Sequence, residues 1–118
     1  MAAVRNEAET RAELIDPKLH DAHWDRDPCR VRREVHLTDG RILKSGERAR
    51  PRRADYLLCL RFGHTVAVVE AKEEAAAPGA GLSQALEYAE MLDLRFAYAT
   101  NGHTIVERDL ETGIQRDL

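Results

Sequence analysis

The chain has 118 residues, of which 43% are apolar, so it can bury one modest core and we expect a single domain over residues 1–118. Its two cysteines, Cys29 and Cys59, are too few for a disulfide framework and lack the paired spacing of a zinc site, which fits a reducing compartment. No stretch resembles a signal core or approaches a bilayer span, so the sequence predicts a cytoplasmic protein with no membrane partner.

The net charge of −3 is unevenly distributed. Residues 1–29 carry a net charge of −3, residues 30–53 of +6 and residues 54–118 of −6. A basic segment between acidic ones could contact a phosphate backbone while carboxylates elsewhere hold cations. A solvated basic loop that aids solubility explains the same charges equally well.

The first predicted helix begins after Asn6, which can form a capping box with Glu9. Glu9 then has a structural role, whereas Glu7 lies beside the apolar stripe of the helix without one. Asp16-Pro17 should break this helix or restart it.

Five strands and a second helix are predicted after it. A turn at Asp39-Gly40 and an irregular basic stretch up to Arg53 follow the first strand, and the last two strands form a hairpin about Asn101-Gly102. The predicted strands cover residues 30–37, 55–61, 65–72, 95–100 and 103–108, and the helix, which carries an apolar stripe, covers residues 82–92.

Three chemically active side chains meet on the second and third strands. If Phe62 and Gly63 form the turn between them, Asp55 faces Glu70; if Gly63 and His64 form it, Asp55 faces Lys72 instead. In both registers the three side chains cluster, because Glu70 and Lys72 project from one face of their strand.

Asp55, Glu70 and the carbonyl oxygen of Ala71 are the hard donors that magnesium prefers. The metal would polarise a phosphate and acidify a bound water, while Lys72 could orient that water, take its proton or stabilise the developing charge. The alternative is structural: Asp55 as a strand-entry residue, and Glu70 with Lys72 as a surface ion pair.

Gln84 and Tyr88, four residues apart, share a face of the second helix next to its apolar stripe. They could approach one ligand together. They could equally be a polar flank and an aromatic residue at the edge of the core.

These pieces resemble the PD-(D/E)xK nuclease superfamily, and more closely the N-terminal nuclease domain of the restriction subunit of type I restriction-modification enzymes. One departure is Ala54, which stands where the superfamily pattern has Pro. The segments that carry the resemblance are Asn6–Arg11, Leu14–Pro17, Ala54–Tyr56, Val69–Lys72, Gln84–Tyr88 and Ala99–Gly102.

The resemblance implies an α/β fold with a restriction-endonuclease-like core, in which a central mixed sheet of about five strands is flanked by helices. It implies that Asp55 and Glu70 bind Mg²⁺, that Lys72 completes catalysis and that Glu7 joins or supports the metal site. Gln84 and Tyr88 would support the site and DNA contact. Arg52 and Arg53, which end the basic segment, are further candidate DNA contacts.

The resemblance also implies a longer polypeptide with an ATP-driven translocase, working with methylation and specificity subunits. These 118 residues contain no G-x-x-x-x-G-K-[S/T] phosphate loop, so ATP would serve only that absent translocase. The predicted function is a magnesium-dependent endonuclease that hydrolyses double-stranded DNA. The alternatives are a catalytically silent DNA-binding or docking module of the same fold, and a repair or junction nuclease of the same superfamily.

Overall fold

The computed structural model describes residues 4–37, 52–61 and 63–118, and the predicted Asp39-Gly40 turn and most of the basic stretch lie outside them. A π-helical turn, Arg11–Ile15, joins the first two helices. The helices are α1 (Glu7–Thr10), α2 (Asp16–Asp21) and α3 (Leu82–Met91). The strands are β1 (Arg30–His36), β2 (Arg53–Arg61), β3 (His64–Ala71), β4 (Phe96–Thr100), β5 (Ile105–Asp109) and β6 (Gln115–Asp117).

The described strands form one sheet in the order β1-β2-β3-β4-β5-β6. The β3–β4 pair is parallel, with α3 as its crossover, and the other adjacent pairs are antiparallel. The predicted mixed α/β fold is confirmed, with six strands where about five were expected. The additional strand, β6, is exposed along its length, so it carries no apolar alternation for sequence reasoning to detect.

The two faces of the sheet carry separate cores. Leu57 and Val68 pack against α3, whereas Tyr56 and Val69 pack with Ile15 of the N-terminal helical segment. Leu57 and Val68 therefore point to the opposite side of the sheet from their neighbours Tyr56 and Val69, as the pleat of a strand requires. A site at the ends of β2 and β3 is thus flanked by helices on both faces.

The helical segment continues through Asp16-Pro17 rather than stopping there. Asn6 and Glu9 form the predicted capping box, and Pro17 lies in the first turn of α2, which confirms the helix restart. The hydroxyl of Tyr56 donates to Asp16 Oδ1 at 2.8 Å and ties α2 to β2. No described helix is both long and apolar enough to cross a bilayer.

The β4–β5 loop fixes this segment to the sheet. Gly102 has a φ of 92°, and a Cβ there would lie 2.8 Å from Leu14 Cδ1 and 2.9 Å from Thr10 Cγ2. Lys18 Nζ donates to the Gly102 carbonyl at 2.8 Å, and the Gly102 N–H donates to Thr100 Oγ1 at 3.0 Å. The Thr-Asn-Gly sequence therefore serves helix docking, because only glycine combines this backbone angle with so close an approach.

Candidate active site

Asp55 lies where the regular pairing of β2 is interrupted. On the β1 side, Tyr56 pairs with Arg33 and Ala54 with Val35, but Asp55 and Glu34 do not pair. Glu34 has a φ of 51°, a left-handed conformation that is uncommon for a residue with a side chain. The ladder is thus distorted at the position of the first candidate acid.

The side chains of Asp55 and Glu70 interlock across β2 and β3. The Asp55 N–H donates to Glu70 Oε2 at 2.8 Å, and the Ala71 N–H donates to Asp55 Oδ2, also at 2.8 Å. Tyr56 pairs with Val69, so the register is the first of the two predicted ones, with Asp55 opposite Glu70. The N–H and C=O of one strand residue point to the same side, so the Ala71 carbonyl also faces β2.

Glu70 is a buried acid with few compensating charges. The residue is only 4% exposed to solvent. Burial is the main reason that the pKa of Glu70 is raised to about 8. The hydrogen bond from the Asp55 N–H lowers this pKa, whereas the negative charges of Asp55 and Glu7 raise it further. At neutral pH the carboxyl group therefore favours its protonated form unless a cation is supplied.

Lys72 comes directly after the end of β3, and its side chain lies near that of Glu70 beside Gly81. Its backbone N–H donates to the Thr100 carbonyl at 2.9 Å, and its ammonium group forms no ion pair with any residue in the described ranges. The side chain is half-buried beside Gly81, where an added Cβ would lie 3.6 Å from Lys72 Cε and 3.3 Å from Glu70 Cβ. The start of α3 therefore closes tightly over Glu70 and Lys72.

Glu7 and Arg11 approach the site from the helical segment. Glu7 is exposed at the first position of α1, and its charge acts on both Glu70 and Arg11. Sequence reasoning gave Arg11 no role. Its Nη1 lies 3.5 Å from Asp55 Oδ1 and its Nη2 lies 3.3 Å from Glu34 Oε1. The available signal was that Arg11 follows Glu7 by one helical turn and so shares its face.

Gln84 and Tyr88 make contact with one another. Gln84 Nε2 donates to the Tyr88 hydroxyl at 2.6 Å, and Tyr88 is only 1% exposed. Burial, and then the negative charge of Glu70, raise the pKa of Tyr88, which places this aromatic near the acid. The pair therefore adjoins the candidate site from α3, with Tyr88 as part of the core.

The two candidate arginines differ in their surroundings. Arg52 Nη1 lies 2.6 Å from Glu87 Oε1 and also contacts the sulfur of Met91, so its charge is engaged by α3. Arg53 is exposed and its Cα pairs with that of His36.

The donor set suits a hard cation with few protein ligands. No three Asp, Glu, His or Cys side chains form a metal-binding group within residues 4–37, 52–61 and 63–118. Asp55, Glu70 and the Ala71 carbonyl remain together, and magnesium typically uses one or two carboxylates and retains several waters. The residues present therefore fit Mg²⁺ better than a metal that needs a complete protein cage.

Comparison with known proteins relates the chain to type I restriction enzymes, although no protein-family model matches it. Over 106 residues, or 87% of its length, the chain is 37% identical to the endonuclease subunit of the type I restriction enzyme EcoAI from Escherichia coli. A fragment described as an HsdR subunit of a type I restriction enzyme from Vibrio vulnificus YJ016 matches 99% of the chain with a TM-score of 0.89 and 41% identity. The chain spans 13% of the first relative's length and 23% of the second's.

Proposed function

We propose that this chain is a magnesium-dependent nuclease domain, which hydrolyses DNA phosphodiester bonds. The premise is its family: the chain is a homologue of the endonuclease subunit of type I restriction enzymes. The substrate is double-stranded DNA, and the compartment is the cytoplasm. In a complete enzyme the domain would work with methylation and specificity subunits.

The interlocked pair of Asp55 and Glu70 is the observation that carries this proposal. Each of the two carboxyl groups accepts a backbone N–H of the opposite strand at 2.8 Å, Glu70 from Asp55 and Asp55 from Ala71, and Glu70 is buried with a raised pKa. A purely structural role would favour an ion pair with Lys72 or exposure to solvent, because an uncompensated buried acid costs free energy. The arrangement matches the acidic residue and E-x-K of the PD-(D/E)xK pattern.

The metal would be held by Asp55, Glu70 and the Ala71 carbonyl. When bound, Mg²⁺ supplies a Lewis acid for the phosphate and lowers the pKa of a coordinated water. Lys72 then presents an ammonium group that no described acid neutralises, and it can hold the attacking water or a phosphate oxygen.

The other candidate residues have supporting roles. Tyr88, held by Gln84, fixes α3 against the site and acts as a positioning residue, since its burial removes it from direct DNA contact. Glu7 lies close enough to add its charge to the site. Arg53 is exposed beside Asp55 and is the better placed of the two arginines for a phosphate, because Arg52 is held by Glu87.

Plasmid nicking in Mg²⁺ tests the proposal, with Mg²⁺ binding measured separately by calorimetry. We expect Glu70→Gln to lose both binding and cleavage, the latter by at least about 100-fold. Lys72→Met should keep Mg²⁺ binding and lose cleavage. Glu73→Gln removes an equal charge from an exposed neighbour and should retain both activities.

Two results would reject the proposal. Cleavage that survives Glu70→Gln would place the chemistry elsewhere. Absence of cleavage with any divalent metal, together with salt-sensitive DNA binding that Glu70→Gln leaves unchanged, would favour the catalytically silent binding module.

A further inference from the structure

A second basic surface lies at the end of β2 that is distant from Asp55. We name it the distal basic groove, and it is an open cavity of about 440 Å³. Arginines from two strands dominate it, and small or polar residues form its floor. Its lining residues are Arg30, Arg32, Cys59, Arg61, Gly63 and Thr65.

Two of the three arginines that line this groove have no ion-pair partner in the described part of the chain. Arg32 and Arg61 are exposed, and neither forms an ion pair with a residue in the described part of the chain. By contrast, Arg11, Arg95 and Arg116 each have a carboxylate within 3.5 Å. Like charges on adjacent strands repel one another, so the binding of an anion stabilises this surface.

The groove is on the same face of the sheet as Glu70. Arg32 pairs directly with Leu57, whose side chain packs on the α3 side together with Val68. Directly opposed residues of an antiparallel pair share a face, and Glu70 follows Val68 by two positions on β3. Because α3 covers Leu57 and Val68, an elongated ligand that reaches both the groove and the candidate site must run along the largely exposed strand β1.

The spacing suits a DNA backbone. Arg61 follows Asp55 by six positions along β2, which corresponds to about 20 Å at a rise of about 3.3 Å per residue. In duplex DNA, phosphates of one strand advance by about 3.4 Å of helix axis, so about 20 Å corresponds to roughly six base pairs. Guanidinium groups bind phosphates through paired hydrogen bonds.

We propose that the distal basic groove binds the phosphate backbone of duplex DNA about six base pairs from the bond that is cleaved. The occupant is chosen by charge complementarity, and its identity as DNA rests on the function proposed above. The groove anchors the duplex without reading its sequence, because phosphate contacts carry no base information.

The salt dependence of binding tests this inference. Anisotropy of a labelled 20-base-pair duplex is measured in EDTA between 50 and 200 mM salt for the wild type and for the double variant Arg32→Gln, Arg61→Gln. Each lost phosphate contact should reduce the slope of log K against log salt by about 0.9, hence about 1.8 in total. The affinity advantage of the wild type should therefore shrink about 12-fold over this range.

A matched control is Arg26→Gln, Arg108→Gln. It removes the same charge from two exposed or partly exposed arginines that lie outside the groove and form no ion pair with described residues. We expect its slope to equal that of the wild type. The single variant Arg61→Gln should give half of the effect, and thermal unfolding establishes that each variant is folded.

The inference is overturned if the groove variant keeps the wild-type slope, if the control loses as much as the groove variant, or if no duplex binding occurs. Failure of the proposed nuclease function has a different signature. In that case Mg²⁺ supports no cleavage dependent on Glu70, while the groove variant still loses its share of the salt slope.

Discussion

Replacing Glu70 with Gln should stabilise the metal-free protein at neutral and alkaline pH although it abolishes the proposed activity. Gln keeps an oxygen that can accept from the Asp55 N–H, a bond of 2.8 Å in the wild type, and it cannot ionise. The wild-type carboxyl must either stay protonated or ionise in a site where only 4% of the residue is exposed. The substitution therefore removes a cost that depends on pH.

The sign and size follow from the pKa of Glu70, which is raised from 4.5 to about 8. A group whose pKa is higher in the folded state contributes stability below its unfolded pKa, and that contribution is lost as pH rises towards the folded pKa. From pH 5.5 to pH 8, at about 1.4 kcal/mol per pH unit, the wild type should lose about 3 kcal/mol relative to Glu70→Gln.

Urea unfolding in EDTA at the two pH values measures how the stability difference between the wild type and Glu70→Gln changes with pH. The contributions of the other titrating groups cancel in this comparison. Glu74→Gln provides a control that should stay parallel to the wild type between these two pH values, because the carboxyl group of Glu74 is ionised there in both the folded and the unfolded protein. Hydrogen bonds from Arg5 and His103 lower the pKa of Glu74, so its carboxylate contributes stability that is lost as pH falls. Parallel stability curves for the wild type and Glu70→Gln, within about 0.5 kcal/mol, would refute the reasoning about the buried acid.

Two further substitutions test the structure around the site. Gly102→Ala should lower the free energy of unfolding by about 2–4 kcal/mol, because the added Cβ would lie 2.8 Å from Leu14 Cδ1 and the backbone has a φ of 92°. Gly113→Ala is the control. Gly113 has a φ of 79° but no atom within 4 Å of an added Cβ, so the cost should be only about 1 kcal/mol. A cost at Gly113 equal to that at Gly102 would contradict the docking role of the loop. Arg11→Met should destabilise the metal-free protein by about 1–3 kcal/mol, because Asp55 loses its cation at 3.5 Å. Added Mg²⁺ should then raise the melting temperature of Arg11→Met more than that of the wild type, and that of Arg11→Lys by an intermediate amount. Equal increases in all three proteins would show that Arg11 and the metal do not share Asp55.

The sequence predicted the parts of the fold that have a local signal. The apolar stripe of α3 and the runs of β2 and β3 were recognised from periodicity, and their bounds differ from the observed ones by one or two residues. Turn chemistry left two registers open, and the pairing of Tyr56 with Val69 selects the one that opposes Asp55 to Glu70.

The features that were missed depend on tertiary contacts. β6 is a short polar strand that pairs with β5, so only the sheet edge defines it. The spacing of Arg11 and Glu7 indicates only a shared helix face; the contacts of Arg11 with Asp55 and Glu34 join two strands and depend on the tertiary structure. The distortion at Glu34 likewise has no local sequence signal, because this residue adopts a left-handed backbone conformation although it is not a glycine.

The relation between Glu70 and Lys72 distinguishes a structural ion pair from a site that awaits a cation. Two residues apart at the end of β3, Glu70 and Lys72 could have neutralised each other. Instead, Glu70 accepts from the Asp55 N–H in a buried position, and Lys72 has no ion-pair partner among described residues. The buried acid then retains a proton near neutral pH, as its raised pKa requires. Under the proposed function, magnesium would replace that proton, so its affinity should rise with pH up to about 8, and Lys72 would stay available for the phosphate because no acid has captured it.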